Sequence, residues 1–129
     1  MPHPHLLVER DAVACRLLLA RPERHNALDP VMTRALRNAL AEDRQAPVIL
    51  GSTDPRVFCA GADLSIPDAG RAAGSDLLYE CCEIIITRPG PVIAAVGGPA
   101  VGGGAQLATA ADLRIAGPGA AALDRPAGP

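Results

Sequence analysis

Two segments of this chain put glycine where a strand would give way to a helix: Cys59-Ala60-Gly61-Ala62-Asp63 and Gly102-Gly103-Gly104-Ala105-Gln106. Backbone N–H groups at such turns lack an intrahelical partner, and a helix starting there adds the positive end of its dipole. Glycine also lets a second backbone or a ligand come close. Two amides aimed at one point would form an oxyanion hole, stabilising a carbonyl oxygen while the adjoining carbon becomes an enolate. For either loop alone, tight packing is an equally good reason for the glycines. Two such loops at strand ends in one small domain favour the chemical reading.

Other chemistries fit less well. A phosphate-cradling P-loop needs Lys after its last glycine, and the chain contains no Lys. No G-x-G-x-x-G can be aligned between Gly97 and Gly104, and the G-x-S-x-G of a nucleophile elbow is absent. Cys15, Cys59, Cys81 and Cys82 form no C-x-x-C pair, and His3, His5 and His25 complete no zinc spacing, so no metal site is expected. The adjacent Cys81 and Cys82 read as small core residues on a helix.

At 129 residues the chain can bury one core, and with 49% hydrophobic and 20% charged residues it has ordinary globular composition. Aromatics make up only 2%, so Ala, Val, Leu and Ile must fill that core. A net charge of -2 with few aromatics argues against nucleic acid as a partner. No apolar run reaches membrane-spanning length, and the N-terminus lacks the pattern of a signal peptide. The expected location is cytoplasmic, away from membranes.

The elements that would position the two loops alternate in type. Leu6 to Val8 and Ala12 to Ala20 read as strands around a turn at Arg10-Asp11, followed by a polar loop from Arg21 to Asn26. Asp29 and Pro30 make a helix start, and Met32, Ala35, Leu36, Ala39 and Leu40 form its apolar face. Pro47 to Gly51 reads as a buried strand, and Val57 to Ala60 as a brief extended piece. Residues 65–74 look loop-like, with Ser75 capping a second helix that carries Leu77, Leu78, Cys81, Cys82, Ile84 and Ile85 and ends near Arg88. Val92 to Val96 has the continuous apolar character of a strand covered on both faces. A short helix from Ala105 to Ala111 and a strand from Leu113 to Ala116 follow. No internal repeat is visible, and the alternation argues for an α/β fold.

Three of these segments resemble one family. Pro91-Val92-Ile93-Ala94-Ala95-Val96-Gly97-Gly98-Pro99-Ala100-Val101-Gly102-Gly103-Gly104 is similar to the "KPVIAAVNGYALGGG" signature of the crotonase superfamily, which includes enoyl-CoA hydratases and isomerases. Phe58 to Leu64 resembles its "F-x-A-G-A-D-[IL]" segment, and Arg21 to Leu28 its "RPe-x-x-NAL" stretch. The resemblance implies a spiral of ββα units, an acyl-CoA thioester ligand with no cofactor beyond the coenzyme A of the substrate, and a homo-oligomer, a trimer or dimer of trimers. It also implies that Ala62 and Gly103 supply the oxyanion-hole amides. Ala60, Asp63 and Leu64 would border the adenine and pantetheine, and Arg24 would lie near the CoA end.

The departures from that pattern bear on activity. Hydratases carry a glutamate two residues after the GGG, where this chain has Gln106. An amide can orient water, but it cannot exchange a proton as a general acid or base. A second catalytic glutamate belongs to an "F-G-x-P-E" segment, whose nearest counterpart is Leu123-Asp124-Arg125-Pro126-Ala127, with Ala127 at the carboxylate position and Asp124 nearby. Glu80 and Glu83 are acids on the second helix, read as solvent-facing. Residues 1–117 are then expected to be the N-terminal part of a crotonase-like domain, truncated after the glycine-loop helix and its strand, with 118–129 an irregular tail. Two functions follow: an enoyl-CoA hydratase/isomerase-type protein with weakened catalysis, or a non-catalytic acyl-CoA-binding or assembly module. A third outcome is a non-functional half-core that aggregates.

Overall fold

The computed structural model describes residues 3–119. Five strands form one sheet in the order β1-β2-β3-β4-β5: Leu6–Arg10, Cys15–Leu19, Val48–Ser52, Val92–Val96 and Leu113–Ala116. β1 and β2 are antiparallel, with Leu6 opposite Leu19, and the remaining pairs are parallel. Three helices intervene: α1 (Pro30–Glu42), α2 (Asp68–Thr87) and α3 (Gly103–Ala110). The expected α/β class holds.

Local chemistry explains most of the boundaries. β1 runs on to Arg10, and the turn is made by Asp11, whose carboxylate accepts from the Val13 and Ala14 N–H groups at 2.7 and 2.9 Å. Asp29 caps α1 by accepting from Met32 N at 2.8 Å, ahead of Pro30, and the five predicted apolar positions of α1 are all buried. Arg88 is a buried C-cap of α2. Its guanidinium donates to the carbonyls of Asp43, Ala46 and Gly90, tying the ends of α1 and α2 to the starts of β3 and β4.

Two expectations are corrected. α2 begins at Asp68, so residues 68–74 are helical and Ser75 lies inside the helix instead of capping it. Gly70 and Gly74 lower the intrinsic preference there. Packing overrides it: Gly74 lies against Pro30, and the Arg71 guanidinium binds the Leu64 and Ile66 carbonyls and the Asp68 carboxylate. The sheet also buries one face far better than the other. Val92, Ala94 and Val96 are buried, whereas Ile93 and Ala95 between them are half-buried. The repeat of units that the resemblance implies is present, although no repeat is visible in the sequence. After β2, β3 and β4 comes a short extended segment and then a helix, and these segments pair as isolated bridges, Leu28 with Ala62 and Cys59 with Ala100.

Candidate active site

The three short segments between strand and helix, 25–28, 58–63 and 99–104, lie side by side, and their hydrogen bonds fix which amides stay free. Phe58 and Cys59 N–H donate to Pro99 O, and Val101 N–H donates to Cys59 O at 3.0 Å. On the other side Leu28 N–H donates to Gly61 O at 2.7 Å, and Asp63 N–H donates to Leu28 O at 3.0 Å. A trans peptide points its N–H opposite to its carbonyl. With Gly61 O committed to Leu28, the Ala62 N–H must face away from that segment. Gly103 N–H opens α3 and has no partner of its own within the helix. Among the described residues neither N–H donates to a protein acceptor.

Both residues line one cavity of about 140 Å³. Its apolar wall includes Leu28, Pro30, Ile66 and Leu78, and its polar groups are Arg71, Ser75, Tyr79 and Gln106. Glycines set the close approach of the two loops. Gly61 has φ 93°, and a Cβ there would sit 3.0 Å from Val101 O. A Cβ on Gly104 would fall 2.5 Å from Cys59 O, so α3 rests directly on the 58–63 segment. No carboxylate lines the cavity among the described residues. Glu80 pairs with Arg37 at 3.0 Å and Glu83 is exposed, in keeping with solvent-facing charges. Asp124 and Ala127 lie outside the described residues.

The residues expected at the CoA end are also adjacent, though one is turned inward. Arg24, Ala62, Asp63 and Leu64 border an open depression of about 330 Å³. Ala60 is exposed beside it, with its N–H bonded to His25 O. The Asp63 carboxylate is buried. It accepts from Ser65 Oγ at 2.6 Å, Ser65 N at 3.0 Å, Arg24 at 2.9 Å and Arg21 at 3.3 Å. The Ser65 hydroxyl first, then its N–H and the Arg24 guanidinium, outweigh burial and hold this carboxyl well below the usual carboxylate range. Arg24 is therefore engaged with Asp63 and Ser65 while its head stays half-exposed.

Sequence reasoning passed over two residues behind this surface. Arg21 is buried, pairs with Asp29 at 3.2 Å and with Asp63, and donates to Ala27 O. Asn26 is buried with φ 56°; its side chain accepts from Arg21 N at 2.7 Å and donates to Ser52 Oγ and Phe58 O. The only sequence signal for either is its place inside the Arg21 to Leu28 motif. The thiols are poor nucleophiles here: burial pushes Cys59 up to about 11 and Cys81 to about 12. Among the described residues no group of His, Cys, Asp and Glu is arranged to hold a metal ion, and no helix is long and apolar enough to cross a membrane.

Solved structures with the same arrangement place the chain in a fold class, the crotonase-type α/β fold. An enoyl-CoA hydratase from Bacillus anthracis superposes with a TM-score of 0.83 at 30% identity, over 90% of this chain and 48% of that one. An enoyl-CoA hydratase/isomerase family protein from Hyphomonas neptunium gives 0.77 at 36% identity, over 90% and 48%. The probable enoyl-CoA hydratase echA6 of Mycobacterium leprae is 44% identical over 108 residues, 79% of this chain and 43% of that protein. The enoyl-CoA hydratase/isomerase family model matches residues 9–123, and the chain belongs to that family. It spans less than half the length of the M. leprae relative.

Proposed function

We propose that the chain binds an acyl-CoA thioester with its carbonyl oxygen between the N–H groups of Ala62 and Gly103, as an enoyl-CoA hydratase/isomerase-type site of reduced catalytic power. The observation that carries this is the pair of uncommitted amides on one partly apolar cavity, one of them at the N-terminus of α3. Charge that builds on the thioester oxygen as the α-carbon becomes enolate-like is met by two aligned donors, each worth about 10²–10³ in rate in comparable oxyanion holes. Arg24, Asp63 and Leu64 border the depression offered to the CoA end, with Ala60 exposed beside it; the Asp63 carboxylate is spent on Arg21 and Arg24. Coenzyme A arrives as part of the substrate, with no further cofactor.

Gln106 lines the same cavity and can orient a water or a carbonyl, but it moves no proton. Each missing general acid or base costs about 10²–10⁴ in rate. Calorimetric titration of the chain with acetoacetyl-CoA is the direct test. Saturable binding is the expected result, and a folded chain with no heat of binding would remove the proposal.

The second reading, a non-catalytic acyl-CoA-binding or assembly module, draws on the absence of a carboxylate among the described residues that line the cavity and on exposed apolar side chains, Tyr79 and Ile86 on α2 and Leu113 and Ile115 on β5. Family-like association into a trimer or dimer of trimers would cover such side chains. Binding without turnover, together with a defined oligomer in sedimentation, favours this reading.

A further inference from the structure

We propose that Arg21 and Asp63 are positioning residues for the Ala62 oxyanion amide, clamping together the two backbone segments whose pairing aims that N–H into the cavity. The inference rests on the thioester reading above. The peptide that carries the Ala62 N–H begins at Gly61, the residue type with the widest backbone freedom, at φ 93°. Its orientation must therefore be imposed from outside. Two hydrogen bonds to Leu28 impose it, Leu28 N–H to Gly61 O and Asp63 N–H to Leu28 O. They are only as firm as the Leu28 segment itself.

Arg21 secures that segment on both sides. One guanidinium nitrogen meets Ala27 O and Asp29, immediately before and after Leu28, and the other meets the Asp63 carboxylate, next to Ala62. The root of Arg21 is held in turn, because its N–H donates to Asn26 Oδ1. Ser65 and Arg24 close the outer side of Asp63. Stability alone is a poor reason for such a pair. Desolvation offsets much of the attraction between buried charges, and well-packed apolar side chains can serve stability as well. Apolar contacts, however, do not set the direction of a peptide plane. A planar guanidinium whose two nitrogens grip different segments does.

The test compares two ligands on the intact 129-residue chain. Acetoacetyl-CoA can bind as its enolate, which needs well-aimed donors, whereas butyryl-CoA binds as an ordinary thioester. Asp63→Asn keeps the shape but removes the charge and one of the two accepting oxygens. It is expected to lower the ratio of acetoacetyl-CoA to butyryl-CoA affinity about tenfold, a fraction of what losing a donor outright costs. The enolate absorbance of bound acetoacetyl-CoA should fall with it. Arg21→Lys keeps the charge and loses the fork, and a drop of about threefold in the ratio is expected. If Asp63→Asn does not fold, Arg21→Lys decides alone. An unchanged ratio and unchanged absorbance, with both affinities falling in step, would overturn the positioning role and leave a purely structural pair. An unmodified chain that binds neither ligand would overturn the thioester reading, and the positioning role with it.

Discussion

Ala62 and Gly103 line one cavity, yet the backbone around Ala62 is held by charged side chains and the backbone around Gly103 by main-chain bonds and close packing. Behind Ala62 lie Asp63, Arg21, Arg24 and Ser65, joined by directed hydrogen bonds. Around Gly103 and Gly104 no charged side chain takes part among the described residues; backbone bonds, Gly104 N–H to Val101 O and Val101 N–H to Cys59 O, hold the turn, and a Cβ would meet the Leu28 and Leu78 side chains on one glycine and the Cys59 backbone on the other. A charged network fails when a member is removed. A packed contact fails when an atom is added. One half of the site should therefore be sensitive to deletion and the other to insertion.

The largest effect should come from Arg21→Met. It leaves the Asp29 and Asp63 carboxylates facing a space that a cation had filled, and breaking a buried pair this way costs about 3–5 kcal/mol. Urea unfolding measures it, and a loss below about 1 kcal/mol would mean that the network does not hold the Ala62 side.

Gly104→Ala comes next. Its methyl would meet Cys59 O at 2.5 Å, a backbone atom that cannot swing aside, so about 2–3 kcal/mol is expected. Gly103→Ala should cost less than about 1 kcal/mol in the same measurement, because its methyl meets the tips of Leu28 and Leu78 at 2.7 and 2.9 Å, and Ala favours the helix. Equal costs at the two glycines would show that backbone and side-chain contacts constrain α3 alike.

A pH series sharpens the charged side. The Asp63 carboxyl titrates below its ordinary value of about 3.9 in the folded chain. Its contribution is then fully present above that value and is lost as the pH falls below it. The stability difference between the parent chain and Asp63→Asn should therefore shrink as the pH drops from about 5 toward 2. A constant difference would place the contribution elsewhere. The smallest effect on stability belongs to the exposed Gln106→Glu, within about 0.5 kcal/mol. Its readout is hydration of a short enoyl-CoA, which should rise if the new carboxylate stands at the reacting carbon.

The same contrast explains what could be read from the sequence. On the Gly103 side the close approach was legible, because a run of glycines after an apolar strand marks a place where another group must come near, whether backbone or ligand. α1 was legible down to its cap, since Asp29, Pro30 and the spacing of Met32 to Leu40 all act locally. The clamp at Arg21 and Asp63 was not, because an arginine in a polar loop looks the same whether it faces water or a carboxylate far along the chain. The start of α2 was hidden for a related reason. Gly70 and Gly74 advertise a loop, and the packing of Gly74 against Pro30 that helps overrule them is non-local. Burial on one face of β4 escaped as well, because Ile93 and Ala95 are as apolar as the residues that point inward.

The bridges between successive turns of the spiral also bear on how the chain folds. Arg21 and Asp63 are 42 residues apart, and Cys59 Sγ reaches the Asn26 carbonyl across 33. Each of these contacts closes a long loop, and that entropy is lost before the contact repays it. Helix α1, with its cap and apolar face close in sequence, can flicker into place early. The loop cluster must wait until the 99–104 segment has docked on Cys59. The two amides should thus be among the last features to acquire their native orientation during refolding, and among the first to lose it when the chain opens locally.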